Sequence, residues 1–202
     1  MLLYFIRHGE TDWNAEARFQ GQQDIPLNDK GRAQAARNGA VLRDLIAEGM
    51  TEGGAEGRAG GGFDFVASPL GRTRETMEII RAAMGLDPMA YRTDERLREL
   101  SFGEWEGRTV YDLEVAEAAL WRERQVNKWY FQPKGGESYH LLTERVKGWA
   151  DELTRPTVVV AHGGVNRALH AIFTDIDRNA LAASEIPQDK IMVLDQAGPR
   201  WV

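Results

Sequence analysis

The sequence predicts an α/β fold, a three-layer sandwich with a mostly parallel central sheet, helices on both faces and a small helical cap insertion. Two short apolar runs, Leu2 to Ile6 and Thr157 to Ala161, have the composition of strands that are buried on both sides. Strand-like and helix-like segments alternate along the chain, and this alternation is typical of a parallel sheet covered by helices.

The first quarter of the chain predicts a strand, a helix and a loop. Leu2 to Ile6 forms the strand, and Gly9 supplies its exit turn. A helix begins after Asn28, a good capping residue, and is expected to end at Gly49. The segment 49–62 contains 7 glycines, so we expect a mobile loop there rather than a packed element.

The rest of the chain predicts the cap and the remaining sheet. Residues 109–131 mix charged with large apolar side chains and suggest one or two helices ahead of the break at Pro133 and Gly135. We therefore expect a cap at about 105–137. The other predicted elements are a strand at 63–67, helices at 70–84, 138–153 and 164–173, a strand at 157–161, and a hairpin of 191–194 with 201–202.

Composition limits the class of protein. The 202 residues fit one domain that spans 1–202, and 43% hydrophobic with 28% charged residues is ordinary for a soluble globular chain. The net charge of -6 and the lack of a basic tract argue against a nucleic-acid partner. An anionic substrate would therefore have to be captured by a local cluster of arginines.

Cysteine is absent from the chain, which excludes disulfides, thiolate metal sites and a cysteine nucleophile. The apolar run at the amino terminus is too short for a secretory signal and lacks a basic segment before it, so we expect a cytoplasmic protein. No run approaches the roughly 18 apolar residues of a membrane span, and we expect no membrane partner.

Both buried-type strands are followed almost at once by histidine and then glycine. His8 follows the first strand and His162 the later one. Because parallel strands end at one edge of a sheet, the two histidines are expected to meet there. The strand that ends at Ala67 should bring Ser68 and Arg72 to the same edge. The sequence thus predicts a pocket with two imidazoles and several arginines.

Such a pocket suits a phosphoryl group, because guanidinium forks match phosphate oxygens and helix starts add positive potential. Nearby cations would disfavour a charged His8 and leave its neutral form available from an ordinary pKa of about 6.5. That nitrogen could attack phosphorus in line while arginines and His162 stabilise the charge. Glu99 is the candidate acid that protonates the leaving oxygen.

Six short motifs follow one another along the chain. They are Arg7, His8, Gly9, Glu10, Thr11 and Asn14; Arg18, Gln20, Gly21, Asp24, Pro26, Leu27 and Gly31; Ser68, Pro69, Leu70 and Arg72; Leu97, Glu99, Phe102, Gly103, Trp105, Glu106 and Gly107; Gly135, Gly136, Glu137 and Ser138; and His162, Gly163 and Gly164. In this order they resemble the motifs of the histidine phosphatase superfamily, the phosphoglycerate mutase-like proteins. The stretch around Glu99 is similar to the broad-specificity and α-ribazole-phosphate-type phosphatases. The motifs cover most of the chain, so a chance match is improbable.

The resemblance implies a single phosphoglycerate mutase-like domain and gives each motif residue a role. His8 would carry the phosphoryl group, and Glu99 would be proton donor and later the base for water. The phosphoryl group would be held by His162, Arg7, Asn14, Arg72 and Gly163, and the substrate by Gln20 and Gly21. No metal and no cofactor are implied. The partner would be a small phosphorylated metabolite, with a monomer and a homodimer both left open.

Three functions remain open, and departures from the mutase pattern favour the first, a phosphatase. In the cofactor-dependent mutases the acid is followed by an arginine and then a tyrosine, whereas Leu100 and Phe102 occupy those places here. The chain also ends at a predicted strand, without a tail to shield a phosphohistidine from water. A phosphoglycerate mutase is the second function. A non-catalytic phospholigand-binding protein is the third, and the presence of His8, Glu99 and His162 argues against it.

Overall fold

A six-stranded sheet forms the centre of the computed structural model, which describes residues 1–53 and 62–202. The strands are β1 (Leu3–Arg7), β2 (Asp64–Ala67), β3 (Arg92–Thr93), β4 (Thr157–Ala161), β5 (Ile191–Asp195) and β6 (Gly198–Trp201). Their order is β3-β2-β4-β1-β5-β6. The first four in this order are parallel, while β5 runs antiparallel to β1 and forms the final hairpin with β6. The predicted mostly parallel sheet and closing hairpin are confirmed.

Helices pack on both sides of this sheet, as the three-layer prediction requires. All α-helices in the part of the chain that the structure describes, including those away from the sheet, are α1 (Asp12–Ala15), α2 (Asp29–Gly53), α3 (Gly71–Ala83), α4 (Val110–Ala116), α5 (Ala118–Val126), α6 (Tyr139–Ala150), α7 (Gly163–Phe173) and α8 (Arg178–Ala183). Helices α2 and α3 cover one face, and α6, α7 and α8 cover the other. None of the described helices is both long and apolar enough to cross a membrane.

Alternation along each strand divides the core into two clusters. Leu3 and Phe5 of β1 join the cluster under α6 and α7, whereas Tyr4 and Ile6 join the cluster under α2 and α3. Successive strand side chains point to opposite faces, so a strand that is apolar at every position is buried on both. This explains why the two apolar runs that form β1 and β4 lie at the centre of the sheet.

Residues 105–137, which the sequence predicted as a cap and which we call the cap, carry α4 and α5 and have a small core of their own. Trp105, Leu113 and Trp121 form that core. Two rings from outside the cap, those of Phe19 and Phe102, pack against it. The cap is thus joined by aromatic contacts to the loops that leave the sheet.

The helix boundaries differ from prediction at α2. Asn28 caps its start, because the Asn28 side-chain oxygen accepts from the Gly31 amide at 2.9 Å. The helix does not end at Gly49 but continues to Gly53. One glycine costs a helix only about 1 kcal/mol, so it does not by itself end one. The rest of the predicted glycine-rich loop, 54–61, lies outside the described residues. The short elements α1, β3 and α8 were missed because so few residues carry no periodicity.

Candidate active site

Three neighbouring parallel strands end at one edge of the sheet and bring distant residues together. Strand β1 lies beside β4, and β4 beside β2. His8 follows β1, His162 follows β4 and Ser68 follows β2. The His8 and His162 ring centroids are 5.2 Å apart, although 154 positions separate the two residues. The shared edge was predicted from the two strand-histidine patterns.

The imidazole of His8 is held in one tautomer. Its Nδ1 lies 2.7 Å from the Gly9 carbonyl oxygen, so Nδ1 carries the proton and donates. Nε2 is then the unprotonated nitrogen. Burial lowers the pKa of His8 well below its ordinary value, and the charges of Arg72 and Arg7 lower it further. The sequence predicted a neutral His8 from the cations alone, whereas burial is the larger cause.

The His162 side chain is fully buried, deeper in the protein than His8. Its Nε2 lies 2.8 Å from the Ser68 hydroxyl, and its Nδ1 makes a longer 3.4 Å contact with a guanidinium nitrogen of Arg72. A guanidinium can only donate, so Nδ1 accepts and Nε2 donates to Ser68. Burial lowers the pKa of His162 well below its ordinary value, and the charge of Arg72 adds to the effect.

Two arginines frame the pocket with unused hydrogen-bond donors. Arg72 donates to the carbonyls of Gln23 at 2.5 Å and Gly21 at 2.8 Å, and Arg7 donates to the Ile186 carbonyl at 2.6 Å. The Nε of each arginine is buried without a partner among the described residues. Neither arginine has a carboxylate within ion-pair distance in residues 1–53 and 62–202. Glu99 acts on both charges only at longer range, and burying a cation without a directly paired carboxylate is costly, so the site suits an anion.

The amide of Asn14 is oriented by its neighbours. Its side-chain oxygen accepts from the Thr11 amide at 3.2 Å and from Nε2 of Gln188 at 3.1 Å. The same Gln188 nitrogen donates to the His8 carbonyl at 3.1 Å. With its oxygen occupied, Asn14 presents its NH₂ group as a donor.

Glu99 reaches the pocket from the loop after β3. Its Oε1 accepts from the backbone amides of Leu100 at 2.8 Å and Gly164 at 3.1 Å. The loop itself is held by Arg145, which donates to the Glu99 carbonyl at 3.0 Å and pairs with Glu137 at 2.9 Å. Glu99 is thus fixed to the start of α7, next to His162.

These side chains enclose a pocket of about 140 Å³. Its lining consists of Arg7, His8, Asn14, Arg18, Phe19, Gln20, Gly21, Arg72, Glu99 and Phe102. Seven of the nine site residues that the sequence predicted are among them. His162 lies behind Arg72, and Gly163 begins α7 beside Arg7 without lining the pocket. The described residues contain no group of three or more histidines and carboxylates that could hold a metal ion.

Comparison with known protein families shows to which superfamily the chain belongs. A model of the histidine phosphatase superfamily (branch 1) matches residues 3–202. The chain belongs to this superfamily. The resemblance that the motifs carried is therefore confirmed, and so is the fold that it implied.

Relatives within the superfamily carry both mutase and phosphatase names. A probable phosphoglycerate mutase of Salmonella paratyphi C (strain RKS4594) is 41% identical over 145 residues, or 71% of this chain. The match spans 59% of that relative's length, so this chain covers less than two thirds of it.

Solved structures of the superfamily match over the whole chain. A mycobacterial glucosyl-3-phosphoglycerate phosphatase superposes with a TM-score of 0.77 at 29% identity, covering 100% of this chain and 96% of that one. A phosphoglycerate mutase from Thermus thermophilus gives 0.70 at 30% identity, covering 100% and 96%. A putative α-ribazole-5'-P phosphatase from Escherichia coli K-12 gives 0.75 at 24% identity, covering 100% and 94%, and shows a shared fold.

Sequence reasoning missed several residues that shape this pocket. Arg18, Phe19 and Phe102 line it, although Arg18 and Phe102 had been noted only as motif residues and Phe19 belongs to none of the motifs. Gln188 carried no signal at all, because it precedes β5 and belongs to none of the motifs. Only its hydrogen bonds to Asn14 and His8 reveal it.

Proposed function

We propose that the protein is a phosphatase that hydrolyses small phosphomonoesters through a phosphohistidine on His8. The observation that carries this proposal is a neutral His8 with its Nε2 unprotonated, in a pocket where Arg7 and Arg72 keep free donors. A nucleophile and an anion-binding frame in one small pocket are the two requirements of phosphoryl transfer to a side chain.

The first step transfers the phosphoryl group from the substrate to the enzyme. Phosphate oxygens bind the free donors of Arg7, Arg72 and Asn14. The Nε2 lone pair of His8 attacks phosphorus, a P–N bond forms, and the bond from phosphorus to the leaving oxygen breaks. Glu99 gives its proton to that oxygen, and an alcohol leaves.

The second step returns the enzyme to its starting state. Glu99, now a carboxylate, takes a proton from a water molecule that attacks phosphorus. The P–N bond breaks, inorganic phosphate leaves, and both electrons of the bond return to Nε2. Every proton and phosphoryl transfer in the cycle uses a group of this chain, so the proposal requires neither a metal nor an organic cofactor.

We propose water as the acceptor of the phosphoryl group because the pocket lacks two side chains of the cofactor-dependent mutases. The places that an arginine and a tyrosine hold in the cofactor-dependent mutases are taken by Leu100, which is buried, and by Phe102, which lines the pocket. The phosphatase name of the mycobacterial neighbour supports the same choice.

Phosphoglycerate mutase is the second candidate, favoured by the names of the Salmonella relative and the Thermus neighbour. It would interconvert 3- and 2-phosphoglycerate only with added bisphosphoglycerate, and it would release little net phosphate. Measuring isomer exchange and phosphate release in one reaction separates the two candidates.

The deciding experiment measures hydrolysis of para-nitrophenyl phosphate in the presence of EDTA. We expect the unaltered protein to be active and His8→Ala to lose about a thousandfold or more, because the nucleophile is gone. His140→Ala is the matched control, since the His140 side chain is exposed and lies beside the Tyr130 ring. The proposal is wrong if His8→Ala keeps full activity or if EDTA abolishes turnover.

A further inference from the structure

The peptide group between Gly9 and Glu10 is held on both of its sides. Its carbonyl oxygen lies 2.7 Å from Nδ1 of His8 and accepts the proton of that nitrogen. Its N–H, which belongs to Glu10, donates to Oε1 of Gln34 at 2.9 Å. The C=O and N–H of a trans peptide group are coplanar and point in opposite directions. One rigid unit therefore lies between the imidazole of His8 and the side chain of Gln34.

Gln34 reaches this peptide from helix α2, across 24 positions of sequence. Its side chain is half-buried, and it belongs to none of the motifs that the sequence displays. Only the oxygen of a side-chain amide can accept a hydrogen bond from an N–H group. The contact with Glu10 therefore fixes which end of the Gln34 amide faces the turn that follows β1.

Close backbone packing brings α2 within reach of that turn. A Cβ atom on Gly9 would lie 2.2 Å from the Gly31 carbonyl oxygen, and a Cβ atom on Gly31 would lie 2.1 Å from the Glu10 carbonyl oxygen. Glycine at both positions is what permits this approach. The Glu10 carbonyl also accepts from the Asn28 amide at 3.0 Å. The Gln34 oxygen is thus presented to the turn by a helix that touches its backbone directly.

A second helix holds the same turn from the preceding peptide group. Thr76 of α3 is fully buried, and its hydroxyl donates to the Arg72 carbonyl at 2.7 Å. The same oxygen accepts from the Gly9 amide at 3.2 Å. The peptide before Gly9 is therefore held by α3 and the peptide after it by α2. The carbonyl that contacts His8 lies between two fixed points.

The position of this carbonyl matters because it decides which ring nitrogen of His8 is protonated. In a neutral imidazole, the hydrogen bond of one nitrogen determines the state of the other. If the Gly9 carbonyl turned away, the proton could occupy Nε2, which would then lack the lone pair needed to attack phosphorus. The bond from the Glu10 N–H to Gln34 also polarises the peptide group and strengthens its carbonyl as an acceptor.

His162 shows that each histidine of the pocket has its tautomer set by its own partners. Its Nε2 donates to the Ser68 hydroxyl, and its Nδ1 contacts Arg72. His162 is thus protonated at Nε2, whereas His8 is protonated at Nδ1, although the two rings lie 5.2 Å apart. A change confined to the Gly9 carbonyl should alter His8 and leave His162 as an internal reference.

We propose that Gln34 is a positioning residue for His8. By holding the Gly9–Glu10 peptide, it keeps the imidazole proton on Nδ1 and leaves Nε2 free to attack phosphorus. This inference rests on the proposed phosphatase function, because it concerns the nitrogen that would become phosphorylated. It gives Gln34 no contact with the substrate, so binding of phosphate should not depend on this side chain.

Gln34→Met tests the proposal, because methionine keeps the unbranched shape of the side chain and removes the acceptor oxygen. We expect kcat/KM for para-nitrophenyl phosphate to fall about tenfold, as for one lost hydrogen bond that orients a reacting group. Competitive inhibition by inorganic phosphate should not weaken. Gln34→Glu keeps an acceptor oxygen and should restore most of the activity. Gln125→Met, at an exposed position of α5, is the matched control and should be fully active.

A direct measurement of the tautomers needs no turnover. Long-range proton–nitrogen NMR spectra of the imidazoles are recorded at about pH 7.5, above the ordinary pKa of histidine. In the unaltered protein we expect His8 to be protonated at Nδ1 and His162 at Nε2. Gln34→Met should move the two His8 nitrogen signals toward each other, as for a mixture of tautomers, while those of His162 stay in place. Loss of signals in His8→Gln assigns them.

The outcomes separate this inference from the proposed function. An unchanged His8 tautomer in Gln34→Met overturns the inference, while hydrolysis of para-nitrophenyl phosphate leaves the proposed function intact. A shifted His8 tautomer in a protein that hydrolyses nothing even when unaltered overturns the phosphatase and retains the effect of Gln34 on the imidazole.

Two further results would also contradict a positioning role. One is phosphate inhibition that weakens in step with kcat/KM, because it would show general damage to the pocket. The other is a Gln34→Glu protein no more active than Gln34→Met. If Gln34→Met fails to fold, Gln34→Leu, which also lacks an acceptor, is measured in the same way.

Discussion

The phosphate pocket and the cap are held in place by different means. His8 and His162 directly follow paired strands, and the His8 amide still donates to the Ala161 carbonyl at 2.9 Å. The cap packs through the side chains of Trp105 and Trp121 against loop rings, and it exposes 81% of Val126. Backbone pairing fixes position more closely than side-chain packing. The groups that we propose to react therefore lie on the rigid part of the fold, and the cap is the more adaptable part.

The two regions differ in charge as well as in support. In the pocket, buried imidazoles are neutral beside unpaired arginines, so an anion is needed to complete the arrangement. In the cap, Arg108 and Lys134 already have carboxylate partners. Binding of the phosphate should thus depend on few residues, each with a large effect, while the cap should contribute smaller and substrate-dependent effects.

Among the changes that test this difference between pocket and cap, Arg72→Lys should have the largest effect on activity. The lysine keeps the charge but loses the planar fork that holds two loop carbonyls and leaves Nε free. We expect kcat/KM for para-nitrophenyl phosphate to fall about a hundredfold or more, as for loss of one transition-state donor. Arg74→Lys, exposed on the same helix, is the control and should stay near the unaltered value. A loss below about threefold for Arg72→Lys would remove this arginine from phosphate binding.

A second effect concerns stability against pH. The pKa values of His8 and His162 are well below 6.5 in the folded chain, mainly through burial. As the pH falls through about 6.5, the unfolded chain binds protons that the folded chain does not, so the free energy of unfolding decreases. Below that pH, each of the two histidines should lower the free energy of unfolding by about 1.4 kcal/mol per pH unit, until the pH reaches its pKa in the folded chain.

Urea unfolding measures this decrease at about pH 7.5, 6.5 and 5.5, a range that spans the ordinary pKa of histidine. His162→Gln should show a shallower decline than the unaltered protein, because one titrating group is gone. His140→Gln, on an exposed position of α6, should decline like the unaltered protein. Equal stability at all three pH values would contradict the neutral, buried state of the two histidines.

The smallest of the three effects tests the link between the pocket and the segment before β5. Gln188→Leu keeps the side-chain volume roughly constant and removes the donor to Asn14 and to the His8 carbonyl. We expect kcat/KM to fall about tenfold, as for one lost hydrogen bond that orients a binding group. The loss should lie mainly in KM, because Asn14 contacts the bound phosphate in the proposed mechanism.

Gln125→Leu provides the comparison from the cap, where Gln125 is exposed on α5. It should leave kcat/KM unchanged. Rescue of part of the activity by Gln188→Asn, which keeps the amide, would support a positioning role. If Gln188→Leu alters only thermal stability and not KM, Gln188 is a structural residue without influence on Asn14.

The sequence by itself determined the sheet centre and most of the pocket. Residues 2–6 and 157–161 are apolar at nearly every position, so they were identifiable as strands buried on both faces, and the histidines that follow them had to share an edge. The start of helix α2 was also predictable from the local sequence, because the Asn28 side chain accepts a hydrogen bond from an amide only three residues away. These features depend on neighbours along the chain or on the rule that parallel strands end together.

Only the tertiary structure decided what lies around that pocket. Gln188 meets Asn14 across 174 positions, and Phe19 and Phe102 come from two separate loops to the pocket lining. No short-range pattern encodes such meetings, because they result from how loops and helices pack once the sheet has formed. Local motifs thus encode the chemistry of the strand ends. The support of Asn14 and the aromatic rings around the pocket depend on long-range packing.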